Sequence, residues 1–487
     1  MRLSSAAFTP RARVSERGSA FIIVLWIAFG LVSVCLYFGN SMNMELRASE
    51  NRAADAAASQ AIEGAVRYIN NLLAWQCSNG SNGVVPDPGS YVCDAVPVGD
   101  ARFWIIGRDT NSATATISTV PLQVSYGLID EGSKLNLNNA SSNIFFNLVQ
   151  LLPNANQDLP GAIIDWRSTN SSGTYQSYYS TQIQPYQTKG APFETVDELR
   201  LVYGGDMTTL TGEDLNRNGV LDQNEDLDQN GVLQTGILEF VTVYSKEPNT
   251  RTNGQPKIDI RTLSGATGPL PDLLNTALGS TRANQILGNL GLLNVAGGTN
   301  RAGPAGGGNQ PNPRTVQVVT FTSPLQFLTT SRMTSDEFAK IANDITVTPT
   351  NNAYIEGRVN INTASANVLE SLPGLSSDTS LAQTLISYRQ SNPDKLGSIA
   401  WIVDALGNNN TTALTALQAA DLITAQSYQF TADIAAVGPH GRGYRRERFV
   451  FDTCSGTPTI IYRQDLTGLG WALGRDVRET LLARNTK

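Results

Sequence analysis

The 487-residue chain is 41% hydrophobic and 16% charged, which excludes an intrinsically disordered protein and leaves room for more than one domain. Its net charge of −7 is a poor start for nucleic-acid binding, which rests on neutralising phosphates. With one histidine and four cysteines, His/Cys metal chemistry is nearly excluded.

Residues 1–18 read as a basic leader in which Arg2, Arg11, Arg13 and Arg17 stand against Glu16, so the remainder carries about −10. From Ala20 to Phe38 the chain is uncharged and mostly apolar. At 1.5 Å per residue such a helix spans roughly 28 Å, the thickness of a bilayer's hydrocarbon core. The basic leader predicts a cytoplasmic N-terminus and an exported C-terminal side. A cleaved secretory signal would have a shorter apolar run and a small-residue cleavage site, which the segment after the span lacks. An ordinary single-span anchor would need no glycine at Gly18. The order basic leader, Gly18, Ser19, apolar helix resembles a type IV prepilin signal, in which a dedicated peptidase cuts after the glycine.

Residues 40–76 contain one glycine, Gly64, and no proline, and their alanine-rich centre is a strong helix former. Ile62, Val66, Ile69 and Leu73 share one helical face. The spacing predicts a single long helix, in the membrane over 19–39 and docked on a soluble body over 40–76, with two helices joined near Asn40 as the alternative. Cys35 lies in the span. Cys77 and Cys93 flank a Gly/Pro/Ser/Asn-rich loop and form the candidate disulfide in an oxidising compartment, leaving Cys454 over.

Strand candidates follow at Ala101–Gly107, Thr114–Thr119 and Leu122–Ile129, and a second group at Tyr428–Ala436, Glu447–Asp452 and Thr459–Tyr462. Each group is too short for a sheet of its own. The expected fold is therefore α+β: a long N-terminal helix packed on one antiparallel sheet, built from 77–129 and 428–487, with a large mainly helical domain, 130–427, inserted between its strands.

The insert holds an internal repeat. Asn136-Leu-Asn-Asn-Ala-Ser-Ser-Asn143 matches Asn360-Ile-Asn-Thr-Ala-Ser-Ala-Asn367, and each copy leads to a helix ending in an aromatic and an arginine, Trp166-Arg167 and Tyr388-Arg389. A degenerate middle copy starts at Lys257-Ile-Asp-Ile-Arg-Thr262. Ala296–Arg314 is glycine-rich and reads as a linker.

The sharpest chemical signal is Asp214-Leu-Asn-Arg-Asn-Gly-Val-Leu-Asp-Gln-Asn-Glu225, which fits a twelve-residue EF-hand loop. Ca²⁺ needs six to eight oxygens, and this spacing curls Asp214, Asn216, Asn218, Asp222, Glu225 and the Val220 carbonyl around one point. A second, partial loop begins with Asp226-Leu-Asp-Gln-Asn-Gly-Val232, offering Asp226, Asp228, Asn230 and the Val232 carbonyl. Its twelfth position is Ile237, so Glu239 or water would have to complete it. The first loop predicts one calcium and the second is the candidate for another. With no helix between them, the pair reads as a clip that orders a long loop, not a switch.

The second repeat copy also resembles a helix-hairpin-helix element of DNA-binding proteins. Pro373-Gly-Leu-Ser-Ser377 lacks the expected second glycine, and the local charge from Glu356 to Leu396 is near zero or below, which argues for scaffold use. There is no Gly-x-Ser-x-Gly, P-loop or His-Glu-x-x-His pattern, and His440 sits in a turn-like run, so no enzyme is predicted.

Taken with the Asp130-Glu-Gly-Ser-Lys-Leu-Asn-Leu-Asn138 segment, these features resemble the K-type minor pseudopilin of bacterial type II secretion systems. The resemblance implies an inner-membrane, single-pass protein with a periplasmic body. It implies a place at the tip of a pseudopilus, with I- and J-type minor pseudopilins and an inner-membrane assembly platform as partners. It also implies cleavage between Gly18 and Ser19 by prepilin peptidase, with methylation of the new N-terminus. The fifth mature position, usually glutamate in such helices, is Ile23; a carboxylate in the bilayer is retained only where it has a partner, and a tip subunit has no neighbour above it. The alternative is a tip protein of a type IV pilus or DNA-uptake machine that contacts DNA through the hairpin.

Overall fold

The computed structural model describes residues 17–110, 123–169, 173–293, 318–407 and 410–485. Most of the leader, the strand expected at Thr114–Thr119 and the glycine-rich Ala296–Arg314 lie outside these residues. Helix α1 (Arg17–Ser78) runs uninterrupted for 62 residues, about 93 Å at the α-helical rise, so two helices joined near Asn40 are not what forms. Its apolar N-terminal part, Phe21 to Phe38, exposes its large side chains and is long enough to cross a membrane. From Ala54 onward one face is buried, through Ala58, Ala61, Ile62, Ala65, Val66, Ile69 and Leu73. That three-and-four spacing is the stripe foreseen at Ile62–Leu73, extended N-terminally by alanines.

The stripe lies on an antiparallel sheet of β1 (Val96–Val98), β2 (Ala101–Ile106), β3 (Ile129–Asp130), β4 (Gln429–Val437), β5 (Tyr444–Asp452) and β6 (Thr459–Asp465). The order is β1-β2-β4-β5-β6, with β3 beside the start of β4. The two sequence-distant groups thus interleave, with β4 between β2 and β5 and Ile434 opposite Ile105. Alternation sorts the faces. Phe103, Ile105, Phe430, Ala432, Ile434, Ala436, Phe449 and Phe451 meet α1, whereas Trp104, Ile106, Ala435 and Val437 face away from it.

Of the strand expected at Leu122–Ile129, the described residues, 123–129, do not form a continuous strand. Only a bridge at Tyr126 and the two residues of β3 pair, because the chain crosses tightly over the end of β2. Gly127 is at φ +147, and a Cβ at Gly107 would come within 2.8 Å of the Gly127 nitrogen.

The inserted domain packs short helices around its own core, and its repeat is threefold. Leu135–Asn136 pairs in parallel with Val241–Thr242, Ile258–Asp259 with Ile345–Thr346, and Val359–Asn360 with Ile423–Thr424. In each leading strand the side chain of Asn136, Asp259 or Asn360 accepts from the N–H two residues on, at 2.9, 2.9 and 3.0 Å. In each returning strand Thr242, Thr346 or Thr424 does the same through its hydroxyl oxygen, at 3.1, 3.0 and 3.1 Å. The copy at Lys257 is therefore a true repeat unit. In the outer copies Arg167 donates to the carbonyls of Leu137 and Ala140, and Arg389 to those of Ile361 and Ala364, which explains the shared aromatic-arginine ending.

The turn Asp130–Ser133 joins sheet and insert. Buried Asp130 accepts from Gly132 N–H at 2.7 Å, Asn360 Nδ2 at 3.0 Å and the Thr363 hydroxyl. Buried Glu131 accepts from Thr431 on β4 at 2.7 Å, Thr242 at 2.5 Å and Lys134 at 3.0 Å. Two adjacent carboxylates thus fasten the first and third repeat copies to the sheet.

Candidate calcium loops on the outer face of the sheet

The two acidic loops adopt one conformation. In the first, Asp214 accepts from Asn218 and Gly219 N–H (2.9 and 2.8 Å), Asn216 Oδ1 from Asn218 N–H (3.0 Å), and Asn218 Oδ1 from Val220 N–H (2.8 Å). In the second, Asp226 accepts from Asn230 and Gly231 N–H (3.1 and 3.2 Å), Asp228 from Asn230 N–H (3.1 Å), and Asn230 Oδ1 from Val232 N–H (2.6 Å). Position four is left-handed in both, Arg217 at φ 55 and Gln229 at φ 58, as is the glycine at position six.

The surroundings of the two loops differ. Asp214, Asn216, Asn218 and Glu225 are buried, whereas Asp228 and Asn230 are exposed. Glu225 closes the first loop by accepting from Asn216 and Asp222 N–H at 3.1 and 3.2 Å. Asp222 is drawn in by the amides of Asn216 and Asn218, at 2.6 and 3.2 Å. Burial pushes the Glu225 carboxyl up to about 7, with Asp214 and Asp222 adding to the effect. Burial likewise raises Asp214, against the opposing pull of Arg108. The oxygen-bearing side chains of this largely desolvated loop are of the kind a hard divalent cation takes, and such an ion would offset the repulsion among its carboxylates.

The twelfth-position acid of the second loop is not Glu239, which instead pairs with Arg108 at 2.6 Å. The residue brought in is Glu213, from ahead of the first loop. Its carboxylate, with those of Asp226 and Asp228, forms a cluster whose oxygens lie within 4.8 Å of one another. Glu213 Oε2 also accepts from Gln234 N–H at 3.2 Å, holding the two ends of the double loop together. Nothing in a forward twelve-residue pattern points to an upstream acid, so sequence spacing missed it.

Cys77 and Cys93 are separate half-buried thiols, not the expected bridge. Cys77 sits in the last turn of α1, Cys93 packs against the helix-facing core of the sheet, and desolvation raises the pKa of both. Gly18 and Ser19 lie in the first turn of α1, and Ile23 is exposed on it. The hairpin at Pro373–Gly374 is covered: a Cβ at Gly374, φ +85, would meet the Ala413 carbonyl oxygen at 2.6 Å. Arg389 is buried on backbone carbonyls, and Arg358 is buried against Glu247 and Asp421, so neither is presented to a phosphate backbone.

Residues 129–212 match the family model described as type II secretion system (T2SS), protein K. The match begins at β3, takes in the Asp130–Ser133 turn and the leading strand and following helices of the first repeat copy, and ends just before the acidic loops. This bears out the resemblance read from the residues. No curated protein matches the chain. Among solved structures, the crystal structure of the GspK-GspI-GspJ complex from the enterotoxigenic Escherichia coli type 2 secretion system matches at 10% identity. The match covers 88% of this chain and 98% of that one with a TM-score of 0.36, an overlap too loose to carry an argument.

Proposed function

With residues 129–212 in the family of type II secretion system protein K as the premise, we propose that this chain is a minor pseudopilin that caps the pseudopilus tip and helps initiate its assembly. The observation that carries the reading is the position of that matched segment, spliced into a pilin-like body of long apolar helix and antiparallel sheet. The bulk of the insert and the apolar Ile23 support a terminal place: a body this large obstructs stacking along a shaft, and a tip subunit has no neighbour whose amine a glutamate could meet. The partners are I- and J-type minor pseudopilins and the inner-membrane assembly platform, with prepilin peptidase cutting between Gly18 and Ser19 and methylating Ser19. The body lies in the periplasm. Pull-down of the full chain from detergent-solubilised membranes tests this. Recovery of the two minor pseudopilins is expected, and salt-sensitive retention of DNA without them would sink the proposal.

We further propose that the double loop holds calcium as a structural clip. Asp214, Asn216, Asn218, Asp222, Glu225 and the Val220 carbonyl would hold the first ion. Asp226, Asp228, Asn230, the Val232 carbonyl and Glu213 would hold a second. The ion supplies a compact positive charge that draws these oxygens together; the chain's own N–H groups already set their directions.

A further inference from the structure

The back of the first acidic loop is gripped by two arginines that belong to the sheet. Arg446 on β5 is fully buried. Its Nε and Nη2 donate to Asp433 on β4 at 2.7 Å each, its Nη2 also to the Arg217 carbonyl at 2.8 Å, and its Nη1 to the Asn216 carbonyl. Arg108, just beyond β2, donates to the same Arg217 carbonyl at 2.9 Å, to the Asn218 carbonyl at 3.5 Å and to Glu239 at 2.6 Å. Arg217 is itself left-handed, at φ 55.

The same loop fills the sheet's second face. Val220 packs with Trp104, Ile106, Ala435, Val437, Ala472 and Leu473. The amides of Asn216 and Asn218 donate to the carbonyls of Trp471 and Ala472 at 3.3 and 3.4 Å. Each amide thus joins a proposed ligand side chain to the C-terminal segment.

We propose that the first loop is the joint through which calcium sets the packing of the C-terminal segment on the pilin-like sheet, with Arg446 and Arg108 as its positioning residues. This rests on the calcium reading above. An ion drawing Asn216 and Asn218 by their oxygens fixes their amide nitrogens toward Trp471 and Ala472. The guanidinium clamp keeps the loop from moving as a body, so ordering is passed to the sheet face and not lost in loop motion. Without the ion, the carboxylates of buried Asp214 and Glu225 and half-buried Asp222 repel one another, and the loop, Val220 and residues 471–473 loosen together.

Amide hydrogen exchange of the full chain in detergent micelles, with calcium or with chelator, tests the coupling, and calorimetric titration with calcium is run alongside. The expected result is calcium-dependent slowing of exchange by tenfold or more at 214–225 and also at 471–473. Arg446→Met and, as a milder variant that leaves the buried Asp433 paired, Arg108→Met should each keep the response at 214–225 but reduce it at 471–473. Calcium binding with protection confined to 214–225, or an unchanged 471–473 response in a folded Arg108→Met, overturns the proposal while leaving the calcium reading standing. No calorimetric binding overturns both.

Discussion

Gly443, in the turn between β4 and β5, lies against the backbone of Ala54 on α1 so closely that a Cβ there would stand 2.3 Å from the Ala54 carbonyl carbon. Its neighbour Gly438 is as tight, 2.3 Å from the Ala54 carbonyl oxygen. Gly443 is also at φ +67, a conformation that side chains disfavour. The ion pairs Arg445–Asp55 at 2.6 Å and Arg442–Glu50 at 2.5 Å flank this contact. It is where the long helix first becomes buried against the body.

Gly443→Val should therefore be among the more damaging single substitutions in the soluble body, costing about 2–4 kcal/mol from overpacking and backbone strain. Thermal unfolding and limited proteolysis around Ala54 check it. A variant with parental stability would mean that the helix and hairpin can part without cost.

Asp433 is fully buried. Burial alone would raise its carboxyl, but Arg446 and Arg448 overcome this and hold it well below the usual carboxylate range. Its folded value lies below its unfolded one, so its contribution is present above about pH 4 and is lost as the pH falls through the folded value. Asp433→Asn, which strands buried Arg446, should cost about 3–5 kcal/mol at neutral pH. The gap between parent and variant in denaturant titrations should narrow on acidification, and a gap constant with pH would contradict this assignment.

Glu337 offers a milder case. Arg282 and the N–H of Thr334 hold it at about 2, against a small burial cost. Because the pair is only half-buried, Glu337→Gln should cost only about 0.5–1 kcal/mol, arising from the cap and a partly screened ion pair. That difference should be complete above about pH 5 and fade as the pH falls toward 2.

Chelation should lower the melting temperature of the chain, and Asp214→Ala should do the same while abolishing further sensitivity to chelator at the first loop. Glu213→Gln should leave the first loop's affinity within about threefold and weaken the second by tenfold or more, about 1.4 kcal/mol. Two-site calorimetry separates these, and equal effects on both sites would remove Glu213 from the second.

Arg389→Ala should destabilise the insert by about 1–3 kcal/mol, because the carbonyls of Ile361 and Ala364 lose a buried donor. Arg167→Ala, at a more exposed site with the same bonding pattern, should cost less. The reverse order would show that the repeat copies are not physically equivalent.

The anchor, the stripe Ile62–Leu73 and the split sheet were legible because each follows from local periodicity. The conformation of the first acidic loop was legible because its Asx and glycine positions lie in one run with fixed spacing. Three things depended on contacts between distant residues. Glu213 reaches the second loop from outside its own pattern, and Arg446 and Arg108 act on backbone carbonyls, which no side-chain motif reports. Leu122–Ile129 has strand composition, yet the crossing at Gly107 and Gly127 leaves it little room to pair. The middle repeat was faint because its conserved feature is a strand-pairing geometry carried by Asp259 and Thr346, not an Asn-x-Asn signature.

Between Phe38, where the apolar run ends, and Glu50, which Arg442 of the body holds, α1 runs for about 18 Å with residues 39–47 exposed. Any tension applied to the apolar end of α1 must travel along this single shaft. It would enter the body at the Ala54–Gly443 contact and the Asp55–Arg445 pair, near the turn joining two long central strands. The junction is built like the socket of a mast: what holds the helix upright at its foot is a glycine-lined seat and the ion pairs beside it.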